Sequence, residues 1–177
     1  MALDSDNVRV ATTGAVYVAP TGTTAPTDSD TALDAAFIDL GYVSADGIAE
    51  TIDKSTNQIR SWQDGSLVRE VVSEGTYSVE MTFIETNEAV LELYYGVTQT
   101  SGKFSIDPRK TGGRQAFVID VIDGTSIERT YVPSGEITSV GERTLASGEA
   151  IGYQVTVTAY ADASSTVVEK FFSDLEA

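Results

Sequence analysis

The stretch EGTYSVEMTFIETNEAVLELYYG, Glu74 to Gly96, changes period halfway. In its first half Tyr77, Val79, Met81 and Phe83 fall on one side and Ser78, Glu80 and Thr82 on the other. That is the two-residue repeat of a strand with one buried face. From Glu88 to Tyr95 the repeat becomes helical. Thr86 or Asn87 supplies an N-cap, Glu88 suits the positive end of the dipole, and Gly96 suits a left-handed C-cap. About two and a half turns lie between them, too few to persist alone in water, so packing must hold the helix. Ala89, Val90, Leu91, Leu93, Tyr94 and Tyr95 cover roughly 240° of its circumference, against the ~100° stripe of a helix that merely caps a sheet. Either loops from the first 40 residues cover the excess or a second chain does. The Tyr94-Tyr95 pair favours a partner, because tyrosine suits surfaces that are apolar on one side and wet on the other. Glu88 and Glu92 repel each other at i,i+4, and a neighbour's basic residue would offset that.

Elsewhere the pattern is β. Gly14–Ala19 reads as a strand stopped by Pro20, followed by a Pro-, Gly-, Thr- and Asp-rich loop to Thr31. Leu33–Gly41 is undecided between a helical turn and an extended run. Asp46-Gly47 signals a turn, Ala49–Trp62 is extended, and Gln63–Ser66 turns again. Leu67–Val72 precedes the strand described above. Gln115–Ile122 and Ser126–Val132 flank Asp123-Gly124-Thr125, a strong hairpin signal, and Pro133-Ser134-Gly135 reads as a further turn. Ala150–Ala161 is the last major strand, and Val167–Phe172 is a short strand or ordered tail. About seven strands and one helix imply an antiparallel β-sandwich or barrel-like body with one short flanking α-helix. At 177 residues the chain suffices for one domain, 1–177.

The chain has no cysteine and no histidine, which removes disulfides, thiolate and imidazole chemistry, and the commonest zinc ligands. With 27 acidic against 11 basic residues, its formal net charge of -16 repels a phosphate backbone. The opening MALDSDNVRV lacks the apolar core of a secretory signal, and no run approaches the ~20 apolar residues of a membrane span. Gly112-Gly113 lacks the lysine and spacing of a phosphate loop, and Asp28-Ser29-Asp30 lacks EF-hand spacing. Carboxylates are abundant, but no motif selects a catalytic pair. No enzyme activity and no cofactor is expected.

Two sets of residues remain. Glu80, Asp120, Glu128, Gln154, Thr156 and Thr158 occupy polar strand positions. They form either the solvated side of a sheet or the lining of a shared channel, where acids and hydroxyls keep a polyanion from adhering. Trp62, Leu91, Tyr94 and Tyr95 are candidates for subunit contact, with ordinary packing the alternative for Trp62. Ala49–Trp62 and Gln115–Val132 are candidate edge strands open to pairing with other chains.

The ensemble of GAVYVAP at 14–20 with Pro26, LGYVSADGI at 40–48, IDKSTNQIRSWQDGSLVR at 52–69, YSVEMTFIETNEAVLELYYG at 77–96 and SGEAIGYQVTVTAY at 147–160 resembles the major tail tube proteins of long, non-contractile-tailed bacteriophages. The resemblance spans most of the chain and transfers no catalytic residue. It implies a subunit that closes six-membered rings stacked head to tail, with double-stranded DNA passing transiently through the bore. Residues 52–67 would join adjacent rings, as would an N-terminal arm at 1–13 and a C-terminal arm or short strand at 162–177. Tape-measure, tail-tip and tail-terminator proteins are the implied partners, and the virion tail the implied location, with the host cytoplasm before assembly. A secreted or virion-surface β-sandwich binding module and the inner tube of a contractile tail are the rival readings.

Overall fold

The computed structural model describes residues 7–175. Eight strands and one α-helix lie among them. The strands are β1 (Thr13–Pro20), β2 (Ile38–Asp39), β3 (Val43–Arg60), β4 (Leu67–Phe83), β5 (Arg114–Asp123), β6 (Ser126–Val140), β7 (Tyr153–Ala159) and β8 (Glu169–Phe172); α1 is Glu88–Tyr95. All pair antiparallel in one sheet of order β2-β1-β5-β6-β7-β4-β3, and β8 also pairs with β6. Val16 and Val18 of β1 share a core cluster with Tyr77, Val79, Met81 and Phe83 of β4, although three strands separate β1 from β4 in the sheet. The sheet must therefore fold over on itself. It makes a sandwich-like body with one short helix at its side. β5 lies between β1 and β6, so the 115–132 hairpin expected at an edge is interior, while β3 is indeed the last strand on its side.

Two turn signals and one strand boundary resolve differently from expectation. Pro133-Ser134-Gly135 does not end a strand. β6 runs on to Val140, and the register steps from Gln115↔Gly135 to Phe117↔Val132, a bulge that absorbs the missing proline N–H. Gly135 is needed there, because a Cβ would stand 2.8 Å from both Phe117 and Val157 side-chain carbons. Asp46-Gly47 likewise lies inside β3, where the register jumps between Val43 and Ile48. Leu67–Val72 and the strand from Thr76 are one continuous β4, which passes Ser73-Glu74-Gly75 with a register shift opposite Ser55 and Thr56 and the Ser73 hydroxyl donating to the Ser55 carbonyl at 3.1 Å.

A second, smaller cluster covers the outer face. Ala116, Val118 and Tyr131 are buried beneath Tyr17, Leu33, Phe37 and Phe171. The undecided Leu33–Gly41 run is thus mostly irregular chain laid across β1 and β5, ending in the two residues of β2.

Asn87 caps α1. Its side-chain oxygen accepts from Val90 N–H at 2.9 Å, and its amide nitrogen donates to the Leu40 carbonyl at 3.1 Å. Gly96 closes the helix at φ 64°, as the sequence implies. Asn87→Ala removes both ties and is expected to cost about 1–2 kcal/mol in urea unfolding.

Candidate assembly surfaces

Four of the six expected lumen residues share one open face. Directly opposite partners on β4 and β7 are Ser78↔Thr158, Glu80↔Thr156 and Thr82↔Gln154, and β6 adds Glu136 beside Thr158 and Ser139 beside Thr156. Gln154 donates to Glu80 at 2.8 Å, and the Thr138 and Thr158 hydroxyls bond at 2.7 Å. The face carries hydroxyls, an amide and the carboxylates of Glu80 and Glu136, with Arg114 at the margin, 4.0 Å from Glu136. Branched threonines suit the pleat without adding charge.

Asp120 and Glu128 stand elsewhere. Asp120 is 7 % exposed and receives both Nε and Nη2 of Arg129 at 2.8 Å, a bidentate pair under the 28–37 segment. The remaining guanidinium nitrogen donates to the carbonyls of Thr31 at 2.7 Å and Asp28 at 3.2 Å. Hydrogen bonding to Asp120 holds the Arg129 pKa above its ordinary value. The Asp28 carboxylate accepts from the Thr31 hydroxyl and backbone N–H, which holds its pKa down. Its support of that turn is present above the ordinary aspartate range and is lost only as pH falls through the lowered value.

Glu128 shares the opposite, core-side face with Val121, its partner across the hairpin. There Lys170 of β8 bridges it at 2.9 Å to Glu50 of β3 at 2.5 Å. Burial works against the ammonium, but the two carboxylates outweigh it and raise its pKa. The sequence reading missed both Arg129 and Lys170. Among the described residues no cluster of three or more potential metal ligands exists, and no helix is long and apolar enough to cross a membrane.

The helix residues are engaged within the chain. Val90 and Leu93 enter the main core, and Ala89, Leu91 and Tyr94 pack against it. The Tyr94 hydroxyl donates to the Gly141 carbonyl at 2.7 Å, and its ring meets Tyr153 edge-on at 5.4 Å. Tyr95 accepts from Arg143 at 3.1 Å and packs on Phe104. Gln99 satisfies both acids, its backbone N–H donating to Glu92 and its side chain to Glu88 at 2.8 Å each. The cover therefore comes mainly from the segment after the helix and from the 141–143 turn. Of the first 40 residues Leu40 contributes, in the core beside the helix N-cap, and Ala89, Leu91, Tyr94 and Tyr95 stay half-buried.

Trp62 stands apart from that group. Beyond the β4–β7 pairing, which begins at Tyr77, β3 and β4 continue as a bare two-stranded arm from Asp53↔Thr76 to Arg60↔Leu67. At ~3.4 Å per residue the arm extends roughly 25 Å. Every side chain from residue 49 to residue 60 and from 67 to 76 is exposed. Val72 opposes Thr56 and Val71 opposes Asn57, so apolar groups occupy both faces. The arm holds Lys54, Arg60 and Arg69 against Asp53, Asp64, Glu70 and Glu74, nearly neutral on a strongly acidic chain. An isolated hairpin of this kind is marginal in water.

The family model for phage tail tube protein matches residues 1–176. The chain belongs to that family. It is accordingly a structural protein of the phage tail, located in the virion, and not an enzyme. No curated protein matches it. Among solved structures it is similar to a chain of the cryo-EM structure of the anti-feeding prophage (AFP) baseplate, 6-fold symmetrised, at 12 % identity and TM-score 0.46, over 97 % of each chain.

Proposed function

We propose that this tail tube protein closes into six-membered rings that stack head to tail, and that the stack conducts double-stranded DNA. The observation that carries the reading is the bare arm at 53–76, an extended, nearly neutral hairpin that exposes Ile59, Trp62, Val68 and Val72 on a largely polar frame. It overlaps the 52–67 segment expected to join rings. Two further features support the same assembly. Among the described residues the outer edge of β3 has no strand partner and β2 reaches only Tyr17 and Val18 of β1, so the sheet ends in two different open edges. Different edges favour a heterologous contact, which closes a ring around one axis and stays open along it.

In this reading Glu80, Gln154, Thr156 and Thr158 face the bore. A hydroxyl- and amide-rich wall with scattered carboxylates gives DNA phosphates few cations to stick to. Tape-measure, tail-tip and terminator proteins set the ends and the length. The terminal segments 7–13 and 162–175 lie on their own sheet, where β8 pairs with β6 and Arg9 with Asp174, and extend the contacts between copies from there; the remaining ends of both proposed arms lie outside the described residues. Negative-stain imaging of the purified chain, alone and with its tail-tip initiator, tests this. Hollow tubes or six-fold rings are expected; persistent isolated monomers in both conditions would point to a surface binding module.

A further inference from the structure

The arm ends in a hydrogen-bonded turn held away from the body. Trp62, the chain's single tryptophan, is 96 % exposed. Beneath it Ser61 N–H donates to Ser66 O at 2.8 Å and Gly65 N–H to Ser61 O at 3.1 Å. The Asp64 carboxylate accepts from Ser66 N–H and the Ser61 hydroxyl, bonds that hold its pKa at about 2. Arg60 folds over the turn to the Gly65 carbonyl at 3.3 Å. No carboxylate pairs with Arg60 among the described residues. An exposed indole on a hydrogen-bonded turn, beside a guanidinium held by Gln58 and Gly65 but by no carboxylate, has the composition of a binding anchor.

The other end of the same strand has a matching vacancy. Because β2 covers only Tyr17 and Val18, and β3 bulges between Val43 and Ile48, a groove of about 410 Å³ opens between them. Its walls are small, including Gly14, Ala15, Ala45 and Gly47, over Val16 and Val121. Gly14 admits no larger residue, since a Cβ would lie 2.4 Å from the Asp120 carbonyl oxygen. An adjoining hollow is bordered by Tyr42, Asp39 and Glu85. The two acids accept from backbone N–H groups, Asp39 from Gly41 at 2.8 Å and Glu85 from Tyr42 at 3.2 Å, and neither has a cation among the described residues.

We infer that this groove receives Trp62 of a second copy of the chain, with Arg60 of that copy reaching Asp39 and Glu85. The inference rests on the stacked-ring reading and names its axial joint. Charge favours this groove over the hollow of about 260 Å³ between the end of α1 and β6, which Lys110 borders and whose acid, Asp107, is already paired with Arg109 at 3.1 Å. Geometry makes the joint intermolecular. Ile48 at the groove and Arg60 near the tip are ends of one extended strand, roughly 40 Å apart at ~3.4 Å per residue, so no copy fills its own groove. A tip and a groove at opposite ends of one strand form a heterologous contact that propagates without closing.

The cysteine-free chain permits a clean test. Gln63→Cys combined with Ala45→Cys keeps Trp62 in place; assembled material is oxidised and run on a non-reducing gel beside Gln63→Cys combined with Val140→Cys, which probes the other hollow. A ladder of linked subunits is expected from the first pair and not from the second. In the unmodified protein, Trp62 emission should move to the blue and lose its quenching by acrylamide on assembly. Trp62→Ser should cut the assembled fraction at least tenfold without changing the monomer's melting temperature, and Trp62→Phe should restore part of it. Tubes that link through Val140→Cys, or through neither pair while Trp62 stays quenchable, overturn the groove and leave the tube standing. Absence of tubes even from the unmodified protein with its initiator overturns both.

Discussion

Replacing Arg129 with alanine should lower the unfolding free energy by about 3–5 kcal/mol, the range for stripping one member from a buried ion pair. Asp120 would keep its burial and lose both guanidinium bonds, and the carbonyls of Asp28 and Thr31 would lose theirs. The loss should spread to Leu33 and Phe37, which the Arg129 bonds help hold over Val118 and Tyr131. Urea unfolding measures the total, and amide exchange across 28–37 shows whether this segment opens first. Replacing both members, Arg129→Met with Asp120→Leu, should recover most of the deficit, since an apolar pair of similar size leaves no uncompensated charge. A double variant as unstable as the single one would mean that the bonds to the 28–31 turn, and not the charge pair, dominate.

Removing the arm should have the opposite profile. If residues 54–75 are replaced by an Asn-Gly turn joining Asp53 to Thr76, the body should fold with nearly unchanged stability, because the excised side chains lie outside both core clusters and all but Ser61 of the tip are exposed. Tube assembly should be lost completely. Thermal melting and negative-stain imaging of the same preparation separate the two effects. Normal tubes from the shortened chain would remove the arm from any part in stacking; a molten body would show that it supports the fold.

Much of this arrangement was legible in the sequence because alternation and turn chemistry are local. Tyr77 to Phe83 and Tyr153 to Ala159 bury the residues their parity assigns. The Asp-Gly signal fixes its hairpin as well. With Asp123 closing on Ser126, counting back three places puts Asp120 opposite Arg129 and Val121 opposite Glu128. The same count places Asp120 and Glu128 on opposite faces, so hairpin register alone separates two residues that had been grouped by polarity. That signal was present and unused.

Other features depended on contacts no local pattern carries. Pro133-Ser134-Gly135 has turn composition, yet Phe117 and Val157 close over Gly135 and the strand passes through as a bulge. The wide apolar arc of α1 correctly demanded cover on several sides. Its supplier, the irregular 97–113 segment, has no periodicity to announce it, and the acids are met by Gln99 and not by a base. Lys170 reaches Glu50 across a sequence separation of 120, beyond any window-based reading. Trp62 was weighed between ordinary packing and subunit contact, and its exposure became evident only once the arm was seen to leave the body.

A helical cryo-EM reconstruction of the assembled protein is the most direct measurement. Glu80, Gln154, Thr156 and Thr158 should line a continuous bore, with residues 53–76 crossing from each ring to the next. A four-residue face sealed inside a subunit contact or turned outward, with the arm laid against its own body, would contradict the account.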